Sequence, residues 1–187
     1  KIIENVSGIS YKEFIKQEIF TPLEMDNSYI GLNQENSKLL AKGYESILND
    51  RAKENKAIRD KSAGSIISTV EDLSKYLQFI LNSRADEAGS YLLNKDTLQQ
   101  MFKKQCFMPK LENSWSGLGW VLNLKLNIIC HTGSLGGVYG GGGYHSVIVV
   151  APDENLGIVL LSNTSSFSKS SQKMSRGILK RLRADDK

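Results

Sequence analysis

The chain has 187 residues, 40% of them hydrophobic and 24% charged, a composition that suits one folded domain with a real core and excludes a disordered or fibrous chain. A net charge of +4, carried by scattered lysines, excludes a dedicated nucleic-acid surface; the one dense basic run, LKRLR near the C-terminus, reads as the solvated face of a helix. The longest uncharged stretch, residues 126–152, is too rich in glycine and polar residues to span a membrane.

KIIENVSGISYKEF opens the chain without the apolar stretch or cleavage site of a secretory signal, and it reads as though already inside a helix. In SYKEFIKQEIFTPL, Tyr11, Phe14, Ile15 and Ile19 follow near-helical spacing; Ser10 caps the start and Pro22 ends it. Residues 31–61 hold few large apolar side chains and are expected to run over the surface. SAGSIISTVEDLSKYLQFILN predicts a helix in which Thr69 and Asp72 have the shape of a capping-box variant. Leu73, Tyr76, Leu77, Ile80 and Leu81 form its apolar stripe. NKDTLQQMFKKQ predicts a short helix capped by Asn94 or Asp96, followed by a loop through Pro109 and ENSWS.

From Gly117 the texture changes. GLGWVLNL, LNIICHTG, YHSVIVVAP and GIVLLSN are short runs rich in β-branched or aromatic residues, and PDENLG makes a hairpin connection between the last two. Strands in such close succession, with no crossover helix between them, pair antiparallel. GGVYGGGG supplies flexibility between strands and lacks the Gly-Lys-Ser/Thr ending of a phosphate loop. A serine-rich cap and an amphipathic helix with Met174, Ile178, Leu179 and Leu182 close the chain. The fold class is α+β, an antiparallel sheet with flanking helices: residues 1–116 mostly helix and loop, 117–163 strands, 164–187 the closing helix.

Cys106 and Cys130 fit no metal spacing; Cys130, inside a predicted strand, reads as a small buried hydrophobe, and a disulfide between the two stays open. His131 and His145 are the only histidines and no carboxylate is spaced to join them, so a structural or catalytic zinc is not expected; no organic cofactor is implied either. His145 reads as a strand residue facing solvent or packed at the sheet. Core packing is the stronger reading for Trp120, whereas Trp115 could line a cleft. His131-Thr132-Gly133 ends an apolar run and is followed by Ser134 and then glycines, the pattern of an edge strand whose backbone lies against a substrate.

SGISYKEFIKQEIFTPLEMDNSYIG, AGSIISTVEDLSKYLQFILN, GLGW, HTGSLGG and APDENLGIVLLSN, in this order, resemble the serine β-lactamase and penicillin-binding-protein-like hydrolases, particularly the class C β-lactamase, D,D-peptidase and esterase branch. Glu24 departs from that pattern, standing where the family usually has glycine. The resemblance implies a β-lactamase/transpeptidase-like fold, incomplete at its N-terminal side, with 1–187 as the C-terminal part of one hydrolase domain. Its chemistry needs a Ser-x-x-Lys nucleophile, a Tyr-x-Asn or Ser-x-Asn group and a Lys/His-Thr-Gly strand. His131, Thr132 and Gly133 supply the third, with the Ser134 N–H as an oxyanion donor; the nucleophile and tyrosine would lie upstream.

Two chance matches to Ser-x-x-Lys, at Ser166 and Ser170, fall after the last strand and read as helix caps. Tyr44-Glu-Ser46 and Tyr144-His-Ser146 read as structural. Histidine in place of lysine gives less permanent attraction for an anionic carboxylate and leans toward a peptidase or esterase. What the resemblance implies is therefore a serine hydrolase acting on amide, ester or β-lactam bonds through an acyl-enzyme. Its partners would be a small-molecule or peptide substrate with a carbonyl centre and the missing N-terminal segment of the same protein. Such hydrolases are commonly periplasmic or secreted in bacteria. The alternative is a truncated or degenerate copy serving as a non-catalytic binding module, which would need to form a homo-oligomer or bind a partner to cover its exposed sheet edges.

Overall fold

The computed structural model describes residues 1–44, 48, 52–53, 61–85, 92–135 and 143–185. Helix α1 (Ile2–Ser7) ends at Gly8 in the left-handed conformation, and α2 (Tyr11–Ile15) follows. Ser10 closes a full capping box: its hydroxyl accepts from the Glu13 N–H while the Glu13 carboxylate accepts from the Ser10 N–H. The predicted helix then widens into a π turn, Lys16–Phe20, before Pro22.

Among the described residues, the expected surface excursion at 31–61 holds one small ribbon, and a second joins the segments on either side of it. Strand β1 (Tyr29–Ile30) pairs with β4 (Ile66–Ile67), and β2 (Gly43–Tyr44) pairs with β3 (Ala52–Lys53). A one-turn helix α3 (Lys61–Gly64) precedes β4. Helix α4 (Val70–Ala85) begins where the Asp72 N–H donates to the Thr69 hydroxyl at 3.2 Å. The Asp72 carboxylate does something the local pattern does not announce. Buried at 1% exposure, it accepts from the Asn27 N–H (2.9 Å) and the Ser28 hydroxyl (2.8 Å), tying the β1 segment to α4. Helix α5 (Lys95–Met101) is capped by Asn94, whose side chain accepts from the Thr97 N–H at 2.8 Å.

The main sheet starts earlier than the sequence suggests. Strands β5 (Cys106–Phe107) and β6 (Ser114–Ser116) occupy the expected loop, because a reversal through Asn113, at φ 50°, brings Phe107 opposite Trp115. Conversely, GLGW is no strand. Gly117 N–H donates to the Trp120 carbonyl at 2.7 Å and Gly119 has φ 76°, so the run makes a tight turn ahead of β7 (Val121–Asn123). Strands β8 (Ile128–Leu135), β9 (Tyr144–Ala151) and β10 (Leu156–Ser162) complete an antiparallel sheet in the order β10-β9-β8-β7-β6-β5. The GGVYGGGG segment lies, apart from Gly143, outside the described residues.

Both faces of this sheet are covered. On one, Leu77 and Ile80 of α4 join Trp120, Leu122, Ile129 and Val150. On the other, α6 (Ser168–Asp185) sets Leu179 among Ile128, Val147, Val149 and Ile158. The buried line of α6 differs from the expected apolar stripe. Ser171, Ser175 and Leu179 point inward, while Met174 and Leu182 stay 47% and 39% exposed. Small hydroxyl side chains let the helix lie close against β9, with each hydroxyl satisfied within the helix by the carbonyl three residues earlier.

Candidate active site

The candidate tetrapeptide lies in the second half of β8, where the sheet changes character. Register pairs Val121 with Cys130, Leu122 with Ile129 and Asn123 with Ile128, and there β7 ends. On its other side β8 continues against β9, from Ile129 opposite Val150 to Leu135 opposite Tyr144. Residues 131–135 therefore have one paired edge and, among the described residues, one edge without a strand.

Which main-chain groups face the open edge follows from one hydrogen bond. The Leu135 carbonyl accepts from the Gly143 N–H at 2.8 Å, so it points toward β9. In an extended strand both main-chain groups of a residue face one neighbour and those of the next residue face the other. The N–H and C=O of Thr132 and Ser134 consequently face the edge that β7 leaves uncovered.

Side chains alternate across the sheet. His131 shares a face with Ile129 and its cross-strand partner Ile148, on the α4 side; Thr132 shares the opposite face with Cys130 and Val147. Both are exposed, as is Ser134. Thr132 opens onto a narrow crevice beside α6 lined also by Cys130, Gln172 and Arg176, so its hydroxyl and the His131 ring do not converge from one face. Gly133 has a packing role besides access: a Cβ there would meet the Ser146 hydroxyl across the strand pair at 2.7 Å.

His131 is held from outside its own strand. Its Nδ1 lies 2.6 Å from the Gly119 carbonyl oxygen, in the turn before β7. Trp120, the next residue, is 5% exposed and is wedged between Tyr76, stacked at 6.5 Å, and Phe102, edge-on at 5.7 Å. Burial pushes the Tyr76 phenol up to about 12, so at neutral pH it stays protonated and supplies no tyrosinate base. Gly119 is the contributor that sequence reading passed over, because GLGW has the texture of a strand.

The other sequence candidates lie elsewhere. The Ser166 hydroxyl pairs with Thr164 at 3.0 Å, and Ser170 sits exposed on α6. The Tyr44 N–H donates to the Asn163 carbonyl at 2.7 Å, and Ser46 lies outside the described residues. Tyr144 donates its phenol to the Ala41 carbonyl at 2.5 Å. His145 is buried against α6, its Nε2 2.8 Å from the Ser171 hydroxyl. Trp115 packs edge-on to Phe107 beneath Lys104.

Both cysteines are free thiols. They stand on one transverse line, Cys106 opposite Ser116, Ser116 opposite Val121, and Val121 opposite Cys130. Three strand spacings amount to about 14 Å, twice the reach of a disulfide. Among the described residues no group of three or more His, Cys, Asp and Glu is placed to hold a metal, and no helix is long and apolar enough to cross a membrane.

The sequence model of the Beta-lactamase family matches residues 1–183. The chain belongs to the beta-lactamase family. This family member is 28% identical to Protein flp of Staphylococcus aureus (strain MRSA252) over 169 residues, covering 88% of the chain and 31% of that protein. It is 24% identical to a Beta-lactamase of Escherichia coli (strain K12), covering 84% of the chain and 47% of that protein. The chain thus spans less than half the length of each of these relatives.

Among solved structures, D-amino acid amidase from Ochrobactrum anthropi SV3, complexed with L-phenylalanine amide, superposes with a TM-score of 0.76 at 21% identity, over 100% of this chain and 55% of that one. A class C beta-lactamase mutant superposes at 0.66 with 20% identity, over 86% and 49%. The shared architecture is the β-lactamase/transpeptidase-like fold, helices around an antiparallel sheet, as the sequence reading expected.

Proposed function

We propose that residues 1–187 form the C-terminal part of one serine-hydrolase domain and supply the His-Thr-Gly strand of its active site, while the nucleophilic serine and its tyrosine partner lie on sequence upstream of Lys1. The bond attacked is an amide, ester or β-lactam, and the reaction passes through an acyl-serine. The observation that carries this reading is the open edge of β8, toward which the Thr132 and Ser134 main-chain groups face. A carbonyl seated beside that edge receives the Ser134 N–H as a fixed oxyanion donor. Being part of a paired strand, that donor needs no reorganisation as charge develops, and removing such a donor typically costs about 3 to 4 kcal/mol of barrier.

Histidine at position 131 favours substrates that do not depend on a permanent cation, which fits peptides, amides or esters better than an obligate carboxylate anchor. The similarity to a D-amino acid amidase supports an amide substrate.

Labelling with a fluorophosphonate probe tests this reading. The full-length protein should be labelled at a serine upstream of Lys1, and residues 1–187 alone should remain unlabelled. Labelling at Ser166 or Ser170 would instead put the nucleophile on α6 or the turn before it. His131→Ala in the full-length protein should lower turnover with the fold intact.

A further inference from the structure

We propose that the Gly119 carbonyl positions the His131 imidazole, fixing its proton on Nδ1 and leaving Nε2 as the nitrogen that meets a substrate or catalytic hydroxyl. The reading of the site's importance rests on the hydrolase function proposed above; the tautomer itself rests on geometry alone.

A carbonyl oxygen can only accept, so a ring nitrogen 2.6 Å from the Gly119 oxygen must carry its hydrogen. The neutral ring then has a bare lone pair on Nε2, and among the described residues nothing bonds to it. The carbonyl is not free to drift. Gly117 N–H closes the turn on the Trp120 carbonyl at 2.7 Å, and Trp120 is anchored in the core between Tyr76 and Phe102. Glycine at 119 is required by conformation and not by space: φ is 76°, yet a Cβ there would meet nothing within 4 Å. The turn therefore aims a fixed acceptor at the first residue of β8 beyond the end of its pairing with β7.

The chemical consequence is directional. In the neutral ring Nε2 accepts, so the group it meets in that state is a donor, a hydroxyl or an N–H. Gly119 acts through the histidine and is a positioning residue, comparable to the outer partners that set ring orientation at other histidine sites.

Long-range nitrogen NMR on the isotope-labelled full-length protein, with the His131 signals assigned by their loss in His131→Asn, tests the proposal. With the ring neutral, Nδ1 should appear as the protonated nitrogen and Nε2 as the bare one. A proton on Nε2, or an even mixture, would overturn the assignment. Gly119→Ala, which strains the turn without a clash, should convert the single tautomer into a mixture while the remaining spectrum keeps its dispersion; an unchanged Nδ1–H signature would remove Gly119 as the cause. Should that variant not fold, the unsubstituted protein's tautomer still decides. A protein with this tautomer but no hydrolase activity would sink the hydrolase reading and leave the Gly119–His131 pair standing. An active enzyme with the opposite tautomer would do the reverse.

Discussion

His145 Nε2 lies 2.8 Å from the Ser171 hydroxyl, a buried bond that fastens β9 to α6 directly across the strand pair from Ser134. Ser171 donates its own hydrogen to the Ser168 carbonyl at 3.1 Å, so the imidazole donates from Nε2 and its Nδ1 is left buried without a partner. Protonating Nδ1 would bury a charge with no acceptor, and burial pushes the ring's pKa down. The unfolded chain, titrating near about 6.5, then binds more protons than the folded one, so stability is full above that pH and falls as pH drops through the window below it. Urea denaturation between about pH 7.5 and about pH 5 should show a steeper loss for the unsubstituted protein than for His145→Gln; equal slopes would contradict the burial argument. Ser171→Ala, which strands a buried donor, should cost about 1 to 3 kcal/mol.

Glu24 occupies the left-handed region at φ 55°, and its carbonyl accepts from the Lys75 ammonium. That conformation costs a side-chain-bearing residue about 1 to 2 kcal/mol, against about 0.5 to 1 kcal/mol of extra backbone entropy lost by glycine. Glu24→Gly should therefore stabilise the fold by about 0.5 to 1 kcal/mol, readable as a raised denaturation midpoint. A lower midpoint would show that the glutamate side chain contributes more than its backbone costs.

Gly133→Ala places a methyl group against the Ser146 hydroxyl. The single change should destabilise the protein by about 1 to 3 kcal/mol, and Ser146→Ala should recover most of the loss. Additive losses in the double variant would mean that the two positions do not meet.

Thiol labelling separates the cysteines. Cys106 is exposed; Cys130 is half-buried, and burial raises its thiol pKa more than Arg176 lowers it. A maleimide should modify Cys106 well before Cys130 in the native protein, and non-reducing mass analysis should find no intrachain bridge. Equal rates, or a Cys106–Cys130 disulfide, would contradict the sheet order.

Elements with a strong repeat are legible in the amino-acid sequence alone. The stripe Leu73, Tyr76, Leu77, Ile80 declares α4, the α5 cap is narrowed to Asn94 or Asp96 and falls on Asn94, and the β-branched run Val147 to Val150 declares β9. Strands β5 and β6 are not, because two or three residues are too few to show a period. The Asp72 carboxylate looked like a local cap but reaches Asn27 and Ser28, a contact no window around α4 contains. Nothing in the serine-rich cap singled out Ser171 and Ser175 as buried, because polarity hides how closely a helix lies on a sheet. The His131-Thr132-Gly133 strand was visible from its residue types. Its open edge and its hold on Gly119 arise from where β7 stops, which is a property of pairing and not of β8 itself.

The most direct test is a structure of the full-length protein carrying a covalent fluorophosphonate or boronate adduct. The expected result is an adduct oxygen within about 3 Å of the Ser134 main-chain nitrogen, beside the β8 edge that β7 leaves open. An adduct formed elsewhere, with that edge filled by another strand of the same chain, would contradict the assignment.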